Sequence, residues 1–220
     1  GIGLRQICDW MLWMKHQEVY IDWERLQSIC RKEEWNKSIV VNIGDQPIAL
    51  FNATFNAFYI FVHLYHHFLQ VGIGLRQICD WMLWMKHQEV YIDWERLHRY
   101  VQEIDAERAW KAFYGLTAEH LGLRLTVVPK WMQQYSQKDV DFILEDVFSV
   151  GNFGKYGDSI QKRSFGGGIL ANIASFGALT KRLIRVSRFG PCEVVSYPLW
   201  RIFCDRTMLS RYLTQKNVKV

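Results

Sequence analysis

Apolar side chains recur every three or four residues along most of this chain, which is the spacing of amphipathic helices. The clearest example runs from Leu75 to Lys86, where Leu75, Ile78 and Met82 share one face. Asn52 and Asp93 are residue types that cap helices, and each precedes an apolar periodic run. Helices are therefore predicted over 52–70, 75–86, 93–104, 105–121, 138–150 and 169–188.

One stretch departs from the helical pattern. Ser38–Ile43 and Ile48–Phe51 are short runs of residues that favour strands, and Gly44–Pro47 between them is typical of a turn. The sequence predicts a mainly α, multi-helix fold with one small β-hairpin. It also suggests three parts: a helical segment 1–37, the hairpin 38–51, and a helical C-terminal domain 52–220.

An internal duplication dominates the organisation of the chain. Residues 1–26 and 72–97 are identical, and the identity stops abruptly at the end of each copy. Solenoid repeats are shorter, degenerate and need about three units to bury a core. Two perfect copies indicate a recent duplication or a join, natural or artificial. Because both copies fit one docking position, we expect the first copy to compete for it, within the chain or across a homodimer.

Composition excludes several classes of protein. Half of the 220 residues are hydrophobic and 15% are aromatic, so a packed core is expected and disorder is not. Five cysteines without a CxxC pair favour reduced thiols and a cytoplasmic location. The most apolar stretch, 55–71, is interrupted by polar residues, so no transmembrane segment is expected.

The charge is concentrated in the last third of the chain. Residues 155–220 contain twelve Lys or Arg against three Asp or Glu, although the whole chain carries only +5. Such a field attracts polyanions and phosphate groups, but it is equally compatible with a solvated surface. One hypothesis is therefore a non-catalytic module that binds phosphate-bearing or anionic partners through this region. Nucleic acid is one such partner, although no motif specifies it.

Several residues are candidates for chemistry. His63, His66 and His67 have helical spacing that can hold a metal, or they hydrogen-bond inside an aromatic core. Arg76 and Asp80 lie one helical turn apart in a Trp-rich helix, which favours a buried or half-buried ion pair over a ligand contact. No residue set in the chain identifies a metal site or a catalytic residue.

Two further motifs carry weaker signals. The run Gly151, Asn152, Phe153, Gly154 and Lys155 could present backbone N–H groups and an ammonium to a phosphate, or end a helix. Asp139 and Asp141 form the one Asp-x-Asp pair. They fall in a helical run, where two positions correspond to about 200° of rotation, so they are expected to lie apart on a solvated surface.

A longer set of motifs resembles the bacterial family called uncharacterised nucleotidyltransferases, of the DNA polymerase β-like superfamily. The resemblance extends over about residues 30–205 and is carried by the segments 58–68, 72–81, 92–94, 109–113, 121–123 and 151–154, and more loosely by 191–193 and 197–200. It implies transfer of NMP from NTP to an unknown acceptor, with Mg²⁺ as the cofactor.

The resemblance also implies a part that this sequence lacks. Members of the family are expected to begin with an α/β catalytic subdomain whose strand-borne carboxylates bind Mg²⁺, and no such motif precedes Ser38. The hairpin 38–51 would be its last remnant. The chain is thus expected to be a truncated, inactive nucleotidyltransferase-like protein. Its candidates for lining a nucleotide or acceptor cleft are His63, His66, His67, Arg76, Asp80, Gly151, Asn152, Gly154 and Lys155.

Overall fold

The computed structural model describes residues 39–43, 46–150 and 169–191. Within them, six α-helices and two short 3₁₀ helices make up most of the structure, so the mainly α prediction is confirmed. The helices are α1 (Ala53–Gln70), α2 (Leu75–Gln88), α3 (Trp94–Glu103), α4 (Glu107–His120), α5 (Gln137–Val150) and α6 (Ile169–Val186). The predicted segment 1–37 and the residues 192–220 lie outside the described part, and the proposed division into three parts stays a prediction.

Two short strands precede the helices. Strand β1 (Ile39–Ile43) pairs antiparallel with β2 (Gln46–Leu50), with Ile39 opposite Leu50 and Val41 opposite Ile48. Gln46 and Pro47 were expected in the turn, but they belong to β2 and pair with Ile43 and Asn42.

Helix α1 is the central element, and it contacts α2, α3 and α6. Asn52 caps it as predicted, because its side chain accepts a hydrogen bond from the Phe55 N–H at 2.9 Å. Thirteen of its residues are buried, which is typical of a helix that other elements surround.

The core is mainly aromatic. The Phe61 ring lies 4.5 Å from Trp110 and 5.6 Å from Trp81, so α1, α2 and α4 meet at this point. Trp81 and Trp110 are themselves edge to face at 5.0 Å, an arrangement that aromatic rings prefer. All three side chains are fully buried, and burial of this size is the main stabilising contribution in such a core.

The connections are short and locally specified. After α1, Gly72 adopts a φ of 89°, and its N–H donates to the His67 carbonyl at 2.9 Å. A glycine suits this left-handed conformation at a helix end. Asp93 caps α3 as predicted, accepting from the Arg96 N–H at 3.0 Å. These turns fix α2 and α3 against the central helix.

Helix α5 packs mainly on α4, and α6 packs on α1. Gly115 of α4 allows the first of these contacts, because a Cβ at this position would lie 2.6 Å from the Tyr135 ring and 2.8 Å from Val140. Tyr65 of α1 donates a buried hydrogen bond to the Phe189 carbonyl at 2.8 Å, just after α6. Among the described helices, none is long and apolar enough to cross a bilayer.

Candidate functional site

Three histidines that the sequence singled out lie together on α1. The rings of His63 and His67 are 4.5 Å apart and nearly perpendicular, and those of His66 and His67 are 5.6 Å apart. His66 and His67 are buried, and His63 is half-buried. The helical spacing therefore brings the imidazoles together, as predicted.

Their surroundings keep these imidazoles neutral. Burial, with a smaller contribution from His67, lowers the pKa of His63 to about 3, and burial chiefly lowers that of His66 to about 3 as well. Burial also lowers the pKa of His67. A neutral imidazole can donate one hydrogen bond and accept another, or bind a metal. Across the described part of the chain, however, no three His, Cys, Asp or Glu side chains form a metal-binding group.

Arg76 and Asp80 do not form the predicted ion pair. Arg76 is exposed and Asp80 is half-buried on α2, and among the described contacts no salt bridge joins them. The buried residues of α2 are Ile78, Trp81 and Met85, so Arg76 lies outside the face that packs on the core. The expectation of a buried or half-buried ion pair was wrong, because water already solvates the exposed guanidinium of Arg76 and pairing it would add little stability.

The basic last third contributes to packing where it is described. Arg182 is buried and donates to both carboxylate oxygens of Asp146, at 2.5 and 2.6 Å, and to the Phe68 carbonyl at 2.5 Å. Arg185 lies 3.8 Å from Asp146, and Arg188 lies 3.5 Å from Asp139. These three arginines are therefore engaged with buried carboxylates. Gly151, Asn152, Gly154 and Lys155 lie outside the described residues.

The structure corrects the prediction made for Asp139. It was expected on a solvated surface, but it is only 2% exposed, whereas Asp141 is exposed as expected. Arg108 of α4 explains the difference, because its Nε and Nη2 donate to the two Asp139 oxygens at 2.7 and 3.1 Å. A bidentate arginine makes burial of a carboxylate tolerable. The separation of the two aspartates around the helix is confirmed.

An open cleft of about 610 Å³ lies beside this pair, and sequence reasoning missed it. Its lining includes Glu107, Arg108, Lys111, Tyr135 and Asp139. Lys111 is 2.5 Å from Glu107, and Arg108 is bound to Asp139, so both cations of the cleft already have acidic partners. Asp105 also lines the cleft, which therefore has three acidic and two basic side chains and does not favour a free anion.

Glu107 is a carboxyl group of the cleft whose pKa is strongly shifted. Partial burial would raise its pKa, but hydrogen bonds from Lys111, His98 and Gln102 outweigh this effect and lower the pKa to about 2. The His98 Nε2 lies 3.0 Å from Glu107, and the His98 ring stacks on Trp131 at 4.4 Å. The group is thus a fixed carboxylate that joins the end of α3 to the start of α4.

A spacing signal existed for the missed residues. Asp139 and Asp146 are seven positions apart on α5, and Arg182 and Arg185 are three apart on α6, so each pair shares a helix face. Matching acidic and basic faces would have suggested that these helices meet. Spacing alone, however, does not show whether such a charged face is buried or solvated.

The comparisons with known proteins concern only part of the chain. No curated protein and no solved structure matches it. Residues 32–122 match a family model described as uncharacterised nucleotidyltransferase. This segment includes β1, β2 and the helices α1 to α4, and therefore the histidine cluster and Arg76. Over residues 32–122, the chain is similar to a nucleotidyltransferase family.

Proposed function

We propose that these helices are the helical portion of a nucleotidyltransferase-like protein whose intact form transfers NMP from NTP to an acceptor. The observation that carries this proposal is the family match over residues 32–122. The match ends at Gly122, directly after α4, and it contains the aromatic centre formed by Phe61, Trp81 and Trp110. A segment with its own core and its own family signature is a reasonable structural unit.

Among the described residues, no group of three or more His, Cys, Asp or Glu side chains could hold the Mg²⁺ ions that this chemistry requires. Metal-assisted phosphoryl transfer needs carboxylates that converge on the ions. Asp139 and Asp146 are each held by arginines, and Asp141 lies on another side of α5. We therefore propose that the 220-residue chain is inactive alone and that the catalytic carboxylates belong to a separate α/β subdomain.

Within the matched segment, we propose Arg76 as a contact for a nucleotide or acceptor phosphate. It is exposed, and no salt bridge engages it in the described structure, whereas Arg108 and Lys111 are paired with carboxylates. Asp80 lies one turn further along α2, and His63, His66 and His67 belong to the adjacent helix α1. An unpaired guanidinium is suited to bidentate contact with a phosphate group.

Calorimetric titration of the chain with ATP, CTP, GTP and UTP, each with Mg²⁺, tests this proposal. We expect saturable binding of at least one nucleotide and a loss of about tenfold in affinity for Arg76→Ala, equivalent to one charge-assisted contact. Arg99→Ala removes another exposed arginine, on α3, and serves as the matched control with unchanged affinity. The absence of binding to all four nucleotides would contradict the nucleotide-site part of the proposal.

Activity is tested separately with labelled nucleotides. We expect no Mg²⁺-dependent transfer of NMP by the purified chain. Transfer that persists in highly purified protein and stops on removal of Mg²⁺ would show that the chain is catalytically complete, contrary to the proposal.

The alternative role in binding anionic partners stays a prediction. Arg182, Arg185 and Arg188 are engaged internally, so any such surface would have to use other basic residues of 155–220, most of which lie outside the described part. Binding that weakens steeply with added salt would favour this role.

A further inference from the structure

The structure shows which side chains of residues 72–97 hold them in the fold, and the chain carries a second copy of every one of them. Ile78, Trp81 and Met85 are the buried residues of α2, and Ile73 and Ile92 are buried on either side of it. At the same positions the first copy has Ile7, Trp10, Met14, Ile2 and Ile21. The family match includes 72–97 and leaves 1–26 outside.

The bonds that fix α2 join the segment to residues outside it. The Trp84 Nε1 donates to the Ala53 carbonyl at 3.3 Å, and the Lys86 Nζ donates to the Arg124 carbonyl at 2.5 Å. The Glu89 carboxylate accepts from the Thr126 N–H and Oγ1 at 2.8 and 2.7 Å. In the first copy, Trp13, Lys15 and Glu18 have the same donors and acceptors at the same spacing.

The signals that form α2 are contained within the copied segment. The Gln77 side chain accepts from the Gly74 N–H at 2.8 Å and closes the first turn, and Lys86 pairs with Glu89 in the last. Gly3 and Gln6, and Lys15 and Glu18, repeat both pairs. The first copy therefore has the same local preference for a helix at the same place.

We propose that residues 1–26 are an alternative occupant of the α2 position in the same chain. Exchange would bury the same side chains against Phe61, Trp110 and α1, so the hydrophobic contribution of the two arrangements is equal. The second copy holds the position because it alone continues directly from α1, through the Gly72 turn bonded to His67. The two arrangements therefore differ in free energy only because each connects the α2 position to the rest of the chain in a different way.

The length of the chain permits the exchange. Thr54, near the start of α1, accepts a hydrogen bond from the Asp93 N–H at 2.9 Å, so the end of the α2 segment lies beside the start of α1. Ile39 is paired with Leu50, just before α1, which leaves residues 27–38 as the connection to the first copy. Twelve residues span up to about 40 Å, more than a contact between neighbouring helices requires.

The identical copies provide a matched experiment in the full chain, in which the urea midpoint of unfolding is compared for Trp81→Ala, Trp10→Ala and the double variant. Trp10→Ala should leave the midpoint unchanged, because the second copy occupies the position. Trp81→Ala should lower it by less than half as much as the double variant, because the first copy supplies an intact tryptophan. The effects of the two substitutions on the urea midpoint are then strongly non-additive.

Several results would overturn the proposal. A Trp81→Ala chain that is as unstable as the double variant, including one that does not fold, would show that the first copy cannot replace the second. A lowered midpoint for Trp10→Ala alone would show that the first copy already has a separate structural role. A Trp81→Ala midpoint that rises with protein concentration, with a dimeric mass by light scattering, would assign the exchange to a second molecule and exclude the arrangement within one chain.

Discussion

The contact between α1, α2 and α4 and the contact of α5 with α6 are both buried, but different interactions hold them. At the first, Phe61, Trp81 and Trp110 pack ring against ring. At the second, Asp146 is fully buried and its charge is matched by the guanidinium of Arg182. Apolar rings gain free energy on burial without any specific partner, whereas a buried carboxylate depends on its partner.

The two contacts should therefore respond differently to substitution of their residues. The aromatic centre should lose stability gradually as ring surface is removed, because packing contributions scale with buried area. The Asp146–Arg182 contact should fail when either charge is removed, since the remaining ion is left buried and unpaired. Phe68 belongs to both regions, because its ring packs on Phe113 while its carbonyl accepts from Arg182.

The largest expected effect is that of Asp146→Asn, which keeps the shape of the side chain and removes its charge. We expect the free energy of unfolding to fall by about 3–5 kcal/mol, because Arg182 remains buried without an anion. Urea denaturation measures this change. Glu145→Gln, one position away and exposed, is the control and should change stability by less than about 0.5 kcal/mol.

A double variant tests the role of the Asp146–Arg182 ion pair further. Asp146→Leu combined with Arg182→Met replaces the ion pair by apolar groups of similar size, and it should recover most of the lost stability. If Asp146→Asn lost less than about 1 kcal/mol, the ion pair would not be the main stabilising element of this contact.

The next largest expected effect is a loss of stability at acidic pH, which arises from the buried histidines of α1. Well above pH 6.5, His63 and His66 are neutral in both the folded and the unfolded chain. Below it, only the unfolded chain takes up protons, because burial holds the folded pKa of both near 3. Stability should therefore fall as the pH decreases from 6.5, by about 2–3 kcal/mol at pH 5.5 for the two groups together.

Stability measured between pH 7.5 and 5 isolates this effect, because Glu107, with a folded pKa of about 2, acts only near or below the ordinary pKa of its carboxyl group. His66→Phe should remove between about a third and a half of the pH dependence, because burial lowers the pKa of His63 and His67 as well. His87→Gln, which changes an exposed histidine of α2, should leave it as it is. An unchanged slope in His66→Phe would show that other groups cause the acid sensitivity.

The smallest expected effects on stability are those of alanine substitutions at two glycines within helices. Gly115→Ala should destabilise the protein by about 1–3 kcal/mol, because the new methyl group would overlap Tyr135 and Val140 at the α4–α5 contact. Gly177→Ala should instead stabilise it by about 0.5–1 kcal/mol, since nothing lies within 4 Å and alanine favours the helix. Thermal unfolding of both variants measures the difference, and equal effects would contradict close packing at Gly115.

The sequence alone was sufficient to predict the helices and caps, whose signals lie within a few neighbouring residues. The three- to four-residue apolar spacing located α1 to α6 to within a few residues, and Asn52 and Asp93 cap their helices as predicted. The histidine cluster followed from helical spacing in the same way. Arg76 and Asp80 also had the spacing of a pair, but spacing alone does not show whether two charges meet or remain in water.

The buried charges depended on contacts distant in sequence. Asp139 and Arg108 are 31 residues apart, and Asp146 and Arg182 are 36 apart. Read alone, each of these side chains is typical of a helix surface, since charged residues are usually exposed. The cleft beside Glu107 was missed for the same reason, because α4 and α5 form it only after they pack on each other.

The sequence by itself determined the helices, their caps and the identity of the two copied segments, because each of these depends on residues within a few turns of one another. Only the tertiary structure decided which charges are buried. It also showed that residues 72–97 occupy the α2 position and which partners hold them there. Identical segments have identical local preferences, so the residues of the two copies could not by themselves show which copy occupies the position.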